Sequence, residues 1–218
     1  MSSHPHRFPS TPGGRRFAAP PAALLELGRS LRELHAAMLQ LNAEESSAEP
    51  PLCLAHEHVQ RALEAISDSG LLPQPDATQE PGRRPRYGFG PVIGAHNPVF
   101  PEPQCRHADG VTRGTVRFPL PFEGPPGFVH GGFVALFFDQ VLGQHNMAFD
   151  VSGMTARLDV EYRRPTPLGR RLSFEVDGGR TDSRTTVTRG CLRDRDQVLA
   201  RAEGVFVVPR GGMPTGIR

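Results

Sequence analysis

The chain has 218 residues with 25 basic side chains, all of them arginine, against 23 acidic ones. The resulting formal charge of only +2 excludes the strong basic bias of a nucleic-acid-binding domain. No apolar run reaches the roughly 18 residues a bilayer span needs, and the N-terminus lacks the apolar core of a secretory signal, so the expected location is the cytoplasm. The length suits one well-buried domain with an appendage. An apolar share of 37% beside 24 Gly and 23 Pro places part of the chain in loops or disorder. Cys53, Cys105 and Cys191 have neither C-x-x-C spacing nor an even count, and read as free thiols.

In chain order, residues 1–20 are rich in Pro, Ser, Thr and Gly and read as a disordered arm. Residues 21–71 read as a helical extension of two helices. In the first, which opens after Pro20 and Pro21, Leu24, Leu27, Leu31, Leu34, Met38 and Leu41 recur at alternating spacings of three and four, a coiled-coil-like seam. The second is expected over Leu52–Ser69, with Ala55, Val59, Ala62, Leu63 and Ile66 on one side and Gly70 as its stop. The pair is expected to cover a surface of the main domain or to meet across a dimer. Residues 72–87 form a Pro, Gly and Arg-rich linker, and 210–218 a flexible tail.

Between them, residues 88–209 have the texture of strands around one helix. Short alternating runs appear at Gly114–Phe118, Thr155–Tyr162, Arg171–Val176 and Val198–Val208. In the second, alternation puts Ala156, Leu158, Val160 and Tyr162 on one face and Thr155, Arg157, Asp159 and Glu161 on the other. Strands in succession after a single helix predict an α+β arrangement in which an antiparallel sheet wraps that helix.

The helix itself, Gly132–Gly143, is apolar on nearly every side, the pattern of a helix buried all round. Asp139 interrupts it and is the only acidic residue between Glu123 and Asp150. A buried carboxylate is costly without a partner, which makes Asp139 a candidate catalytic group. The structural alternative is a helix-interior Asp on a narrow polar stripe with Gln140 and Gln144. Before the helix runs a glycine-rich loop, Gly124-Pro-Pro-Gly-Phe-Val-His130-Gly131-Gly132. Its free N–H groups and the positive end of the helix dipole are suited to an anion or a polarised carbonyl; a tight turn without ligand is the alternative. Phe128, Phe133, Phe137 and Phe138 are candidates for an acyl pocket or, more simply, for the core. His56-Glu57-His58 and His107-Ala108-Asp109 do not have metal-ligand spacing, and no metal is expected.

His130-Gly131-Gly132, then Asp139, Thr155 and Val160-Glu-Tyr-Arg-Arg-Pro165, in this order and at these separations, resemble the hotdog-fold thioesterase superfamily, in its PaaI-type and thioesterase-superfamily-member branch. The resemblance covers most of residues 88–209 and implies a hotdog fold, with the residues before it as an N-terminal helical extension. It further implies an acyl-CoA thioesterase acting as a homodimer or dimer of dimers, with the active site at the dimer interface and no cofactor beyond the CoA of the substrate. Carried over by position, N–H groups around Gly131 and Gly132 polarise the thioester carbonyl. Asp139, from the facing subunit, activates water or attacks directly; Thr155 orients the water or the carboxylate; His130 braces the loop or bonds to substrate. Arg163, Arg184 and Thr185 fall where relatives hold CoA, and Glu161 stands where they carry Asn. A hotdog enoyl-CoA hydratase and a non-catalytic acyl-CoA-binding or interaction module are the rival readings.

Overall fold

The computed structural model describes residues 22–40, 49–69, 97–101 and 103–211. The expected arm 1–20, the linker 72–87 and the tail beyond residue 211 lie outside these residues. The elements in chain order are α1 (Ala22–Met38), α2 (Glu49–Asp68), β1 (Gln104–Ala108), β2 (Val111–Arg117), a 3-10 turn (Leu120–Phe122), α3 (Gly131–Ala148), β3 (Met154–Tyr162), β4 (Arg171–Arg180), β5 (Thr185–Asp194) and β6 (Gln197–Val207). The strands form a single six-stranded sheet in the order β1-β2-β4-β5-β6-β3, antiparallel throughout. α3 packs across β3, β4, β5 and β6. This is the hotdog arrangement expected from the sequence.

α3 supplies the centre of the core. Val134, Phe137, Phe138, Val141 and Leu142 are buried against Leu172, Phe174 and Val176 of β4, Leu192 of β5 and Phe206 of β6. Phe137 meets the rings of Phe118, Phe138 and Phe174 edge-on, at centroid separations of 5.3–5.7 Å, a favoured geometry because the ring edge is positive and the face negative. Phe137 and Phe138 thus belong to the core, Phe133 flanks it, and Phe128 is exposed.

Two strands, β1 and β5, carry no regular apolar alternation. In β5 the inward residues are Thr186, Thr188, Gly190 and Leu192. Gly190 leaves room where space is tight: a Cβ there would lie 3.0 Å from the Phe138 ring and 3.2 Å from Leu142. Thr186 and Thr188 face inward because their hydroxyls donate to the Val151 carbonyl (3.0 Å) and to Asn146 Oδ1 (2.6 Å).

In the single chain α1 turns much of its leucine seam outward, and the facing of β3 departs from the simple alternation expected. On α1, Gly28 is buried whereas Leu27, Leu31 and Met38 of the leucine seam are exposed. The helix lies beside the Leu120–Phe122 turn, and Arg32 Nη1 donates to the Asn97 carbonyl (3.0 Å). Leu41 lies outside the described residues. On β3, the pairing with β6 steps from Thr155↔Phe206 directly to Arg157↔Val205, so that Ala156 is bulged out. Beyond the bulge Leu158 pairs with Gly204 and Val160 with Ala202. Phe206, Gly204 and Ala202 are the buried, inward residues of β6, and Thr155 therefore shares the helix face with Leu158, Val160 and Tyr162. Simple alternation assigns it to the opposite face; a bulge adds one residue to one strand and re-aims the side chain before it.

The C-terminal end of α3 is polar yet buried. Gln144, His145 and Asn146 have almost no exposure. The Cys105 thiol donates to Gln144 Oε1 (3.8 Å), and the Thr112 hydroxyl sits between His107 Nδ1 (2.7 Å) and His145 Nδ1 (3.0 Å). These contacts extend the helix past Gly143, where an apolar pattern stops. Burial lowers the His145 pKa to about 4; the Gly178 backbone opposes that shift and the neighbouring His107, itself lowered by burial, adds to it. A neutral folded-state imidazole facing an unfolded chain that protonates near pH 6.5 makes stability complete above that pH and progressively lost as pH falls towards 4. Chemical denaturation at pH 7 and pH 4.5 is expected to show a loss of roughly 2–3 kcal/mol from this group. His145→Gln should be less stable at pH 7 but show a flatter pH dependence.

Candidate active site

The loop preceding α3 is held from both sides. Gly124 N–H donates to the Phe128 carbonyl (2.9 Å), Val129 N–H to Thr166 (2.8 Å), Leu168 N–H to Gly127 (2.9 Å) and His130 N–H to Phe122 (2.9 Å). Gly127 has a φ of +80°, a conformation natural to glycine, and its N–H donates to Glu123 Oε1 (2.7 Å). The loop delivers His130 to the N-cap of α3 in an extended conformation. There its Nδ1 accepts the Gly132 N–H (3.0 Å), and its carbonyl accepts Phe133 N–H (3.0 Å) and Val134 N–H (3.3 Å). An imidazole thus does the capping that Ser, Thr, Asp or Asn more often does.

The capping contact narrows the expected cradle. Of the two glycine N–H groups, that of Gly132 is engaged by His130, whereas that of Gly131 meets no acceptor among the described residues. The Gly131 carbonyl accepts a hydrogen bond from the Tyr162 hydroxyl (2.8 Å), whose ring packs against this glycine.

Further along the same helix, Asp139 is half-buried rather than enclosed. Thr155 Oγ1 donates to its Oδ1 at 2.9 Å, and Gln140 Nε2 makes a long 3.4 Å contact with Oδ2. Asp139 and Thr155 meet because of the β3 bulge described above. Gln144 is not part of this stripe, being buried at Cys105. Gly131 and Asp139 are eight residues apart in α3, about 12 Å of helix rise, so the free N–H and the carboxylate of one chain do not converge on one carbonyl.

The remaining expected residues are placed around β3. Arg163 Nη2 pairs with Glu161 (2.7 Å), both well exposed, at the Tyr162 end of the strand. Arg184 holds the Val208 carbonyl through Nε (3.0 Å) and Nη2 (2.9 Å), and Thr185 pairs with Val207, itself the partner of Met154 at the Thr155 end. Hydrogen bonds from the Arg184 and Thr185 N–H groups hold the Asp182 carboxyl below its ordinary range and shape this turn. Neither guanidinium reaches Asp139. The sheet's outer surface carries ion pairs, including Arg113–Glu175 (2.6 Å), Arg189–Glu203 (2.8 Å) and Arg157–Asp159 (2.8 Å). The groove among them lies on the face away from α3 and from Asp139. No cluster of His, Cys, Asp and Glu suited to a metal occurs among the described residues, and no described helix is long and apolar enough to cross a membrane. The contact that sequence reasoning missed is Tyr162, whose only signal was its place at the end of an alternating strand.

Comparison with known proteins agrees with the fold. A family model described as the thioesterase superfamily matches residues 126–201. The crystal structure of a thioesterase superfamily protein is 32% identical, with a TM-score of 0.72, over 88% of this chain and 98% of that one. The chain belongs to the thioesterase superfamily. The candidate residues His130, Gly131, Gly132, Asp139, Thr155, Glu161, Arg163, Arg184 and Thr185 all fall within the segment matched by the family model. The superfamily relationship in the solved structure covers more of the chain than the sheet and α3, and so includes residues N-terminal to them. The acyl-coenzyme A thioesterase THEM4 of Xenopus laevis is 34% identical over 81 residues, which span 37% of this chain and 36% of that protein.

If His130 caps α3 as the geometry indicates, His130→Ala should cost about 1 kcal/mol in urea denaturation. His130→Asn, which can cap in its place, should recover most of that loss.

Proposed function

We propose that the protein is an acyl-CoA thioesterase, hydrolysing an acyl-CoA to the free acid and CoA in the cytoplasm, with its active sites shared across a homodimer. The reading rests on one observation: the two polar elements of the site sit at opposite ends of β3. Thr155 holds Asp139 at one end, and Tyr162 holds Gly131 at the other. β3 is an edge strand, paired only with β6 among the described residues. An edge strand offers a row of free N–H and C=O groups to another chain. Antiparallel pairing of β3 with its own copy puts the Asp139 end of each protomer beside the Gly131 end of the other, and so assembles two complete sites from two pairs of halves. Superfamily membership and the partial similarity to the Xenopus enzyme support the acyl-CoA class.

In such a site the Gly131 N–H and the N-terminal dipole of α3 polarise the thioester carbonyl. Asp139 of the facing protomer takes a proton from water as the water oxygen attacks the carbonyl carbon. Collapse of the tetrahedral intermediate breaks the C–S bond, and the CoA thiolate leaves and is protonated. Thr155 fixes the carboxylate so that Oδ2, which has only the long Gln140 contact, faces the water. A positioned base contributes ~10²–10⁴ and an oxyanion donor ~10²–10³ in rate. No cofactor enters. Arg163, Arg184 and Thr185 are assigned to the CoA moiety, and Glu161, by occupying Arg163, competes with a CoA phosphate for that guanidinium.

Free-thiol release from a panel of acyl-CoAs tests the reading: turnover is expected in the wild type and a loss of at least ~10²-fold in Asp139→Asn. Sedimentation should give a dimer, or a dimer of dimers, for both. Normal hydrolysis by Asp139→Asn rules out the role given to this carboxylate; hydration of an enoyl-CoA without thiol release rules out the reaction. Separately, Glu161→Asn is expected to lower KM for acyl-CoA severalfold with kcat little changed, because Arg163 no longer has to exchange a carboxylate for a phosphate.

A further inference from the structure

The geometry points to Tyr162 as a positioning residue of the site, brought into phase with Thr155 by the Ala156 bulge so that one strand sets both the carboxylate and the N–H end of α3. This inference rests on the thioesterase reading above and adds to it a residue and a device. Thr155 and Tyr162 are separated by seven positions, an odd number. In a regular strand, side chains seven apart project from opposite faces. The single extra residue at Ala156 removes the conflict, and both hydroxyls then reach α3: Thr155 to Asp139 Oδ1 at 2.9 Å and Tyr162 to the Gly131 carbonyl at 2.8 Å.

The second contact matters because of where it falls. Gly131 and Gly132 have no side chains to restrain the backbone at the point where an N–H must be aimed. Three restraints replace them. His130 Nδ1 takes the Gly132 N–H, the His130 carbonyl takes the next two amides, and the Tyr162 hydroxyl takes the Gly131 carbonyl. The Tyr162 ring lies about where a Gly131 side chain would touch it, with the nearest ring atoms 3.6 Å from a built Cβ. The peptide unit between Gly131 and Gly132 is therefore held by its oxygen through Tyr162 and by its nitrogen through His130. Only with that unit fixed does the preceding Gly131 N–H keep a constant direction. Tyr162 is half exposed even so, at 52%, on a strand whose outer edge is free among the described residues. Dimer pairing through β3 would enclose it, and the aim of the N–H would tighten on assembly. The Tyr162 hydroxyl donates to the backbone of the chain itself, a positioning role distinct from that proposed for Asp139.

Tyr162→Phe removes the hydroxyl and keeps the ring, so the fold and dimer should survive. The expected result is a fall in kcat of ~10-fold with KM for the same acyl-CoA unchanged within twofold, as for a donor left misaligned but present. Amide hydrogen exchange at Gly132, followed by NMR, should quicken ~10-fold, whereas exchange in the β4–β5 core stays unchanged. A merely structural role would lower the melting temperature without separating kcat from KM or confining the exchange to Gly131 and Gly132. Wild-type kcat in the Phe variant, or unaltered Gly132 exchange, overturns the assignment. If the wild type releases no thiol from any acyl-CoA, the thioesterase reading fails, and the exchange measurement still decides whether Tyr162 clamps the helix start.

Discussion

One extra residue in β3 organises the site. A strand that must touch the same helix at two points seven residues apart has a parity problem, since successive side chains alternate between faces. The bulge at Ala156 solves it locally, near the strand's beginning, and leaves Leu158, Val160 and Tyr162 in step with the inward residues of β6. Without the extra residue, Thr155 would project with Arg157 and Asp159 into the ion-paired outer surface, and the half-buried Asp139 would lose its hydroxyl partner. A lone carboxylate at a helix–sheet boundary is costly to desolvate, and the Thr155 contact offsets part of that cost while fixing which oxygen stays available.

The same strand is one of the two edges of the sheet, open on its outer side among the described residues. Edges are commonly blunted by charge, proline or bulges because they template pairing with other chains. β3 runs for nine residues with no proline, and its outward charges are paired, Arg157 with Asp159 and Glu203 and Glu161 with Arg163, so the edge is electrostatically quiet rather than repulsive. The bulge lies at one end and leaves the rest of the edge regular. The chain carries the Gly131 N–H and the Asp139 carboxylate eight residues apart on one helix, about 12 Å of rise, too far along the helix to serve a single carbonyl. In the dimer proposed above, the separation of the two polar elements and the openness of the edge would both follow from placing them along one strand.

Much of this was legible in the sequence, and the illegible part has a physical pattern. The apolar helix with one carboxylate, the glycine loop before it and the alternating runs at β2, β3, β4 and β6 identified the fold, because in those segments burial follows hydrophobicity. β5 escaped because its inward positions are Thr, Thr and Gly, chosen for hydrogen bonding and for room beside Phe138. The end of α3 escaped because Gln144, His145 and Asn146 are buried polar groups, each bonded through one atom to a partner from β1, β2 or β5 while its other nitrogen meets none among the described residues. The leucine seam of α1 shows that an apolar stripe exists and not which surface it meets; in the single chain Gly28 is buried and Leu27, Leu31 and Met38 are not. In the site, Asp139, Thr155 and the glycine pair stand out by residue type, but Tyr162 does not: its value lies in a phase shift that no alternating pattern records.

The two ends of α3 are anchored by different chemistry, and this bears on how firmly Asp139 is held. At the N-terminus the restraints are exposed: the His130 cap and the Tyr162 hydroxyl, each able to compete with water. At the C-terminus they are enclosed, with Thr112 between two imidazoles and Thr188 on Asn146. Between the two lie Phe137, Phe138, Val141 and Leu142, close-packed on both sides of the turn that carries Asp139. Packed interiors hold position tightly because any shift costs contacts on every side. The carboxylate is thus placed by the rigid middle of the helix, whereas the N–H end depends on a few polar contacts near a free edge. A second protomer covering that edge would exclude water from the weaker end alone, so assembly has most to give where the isolated chain is least constrained.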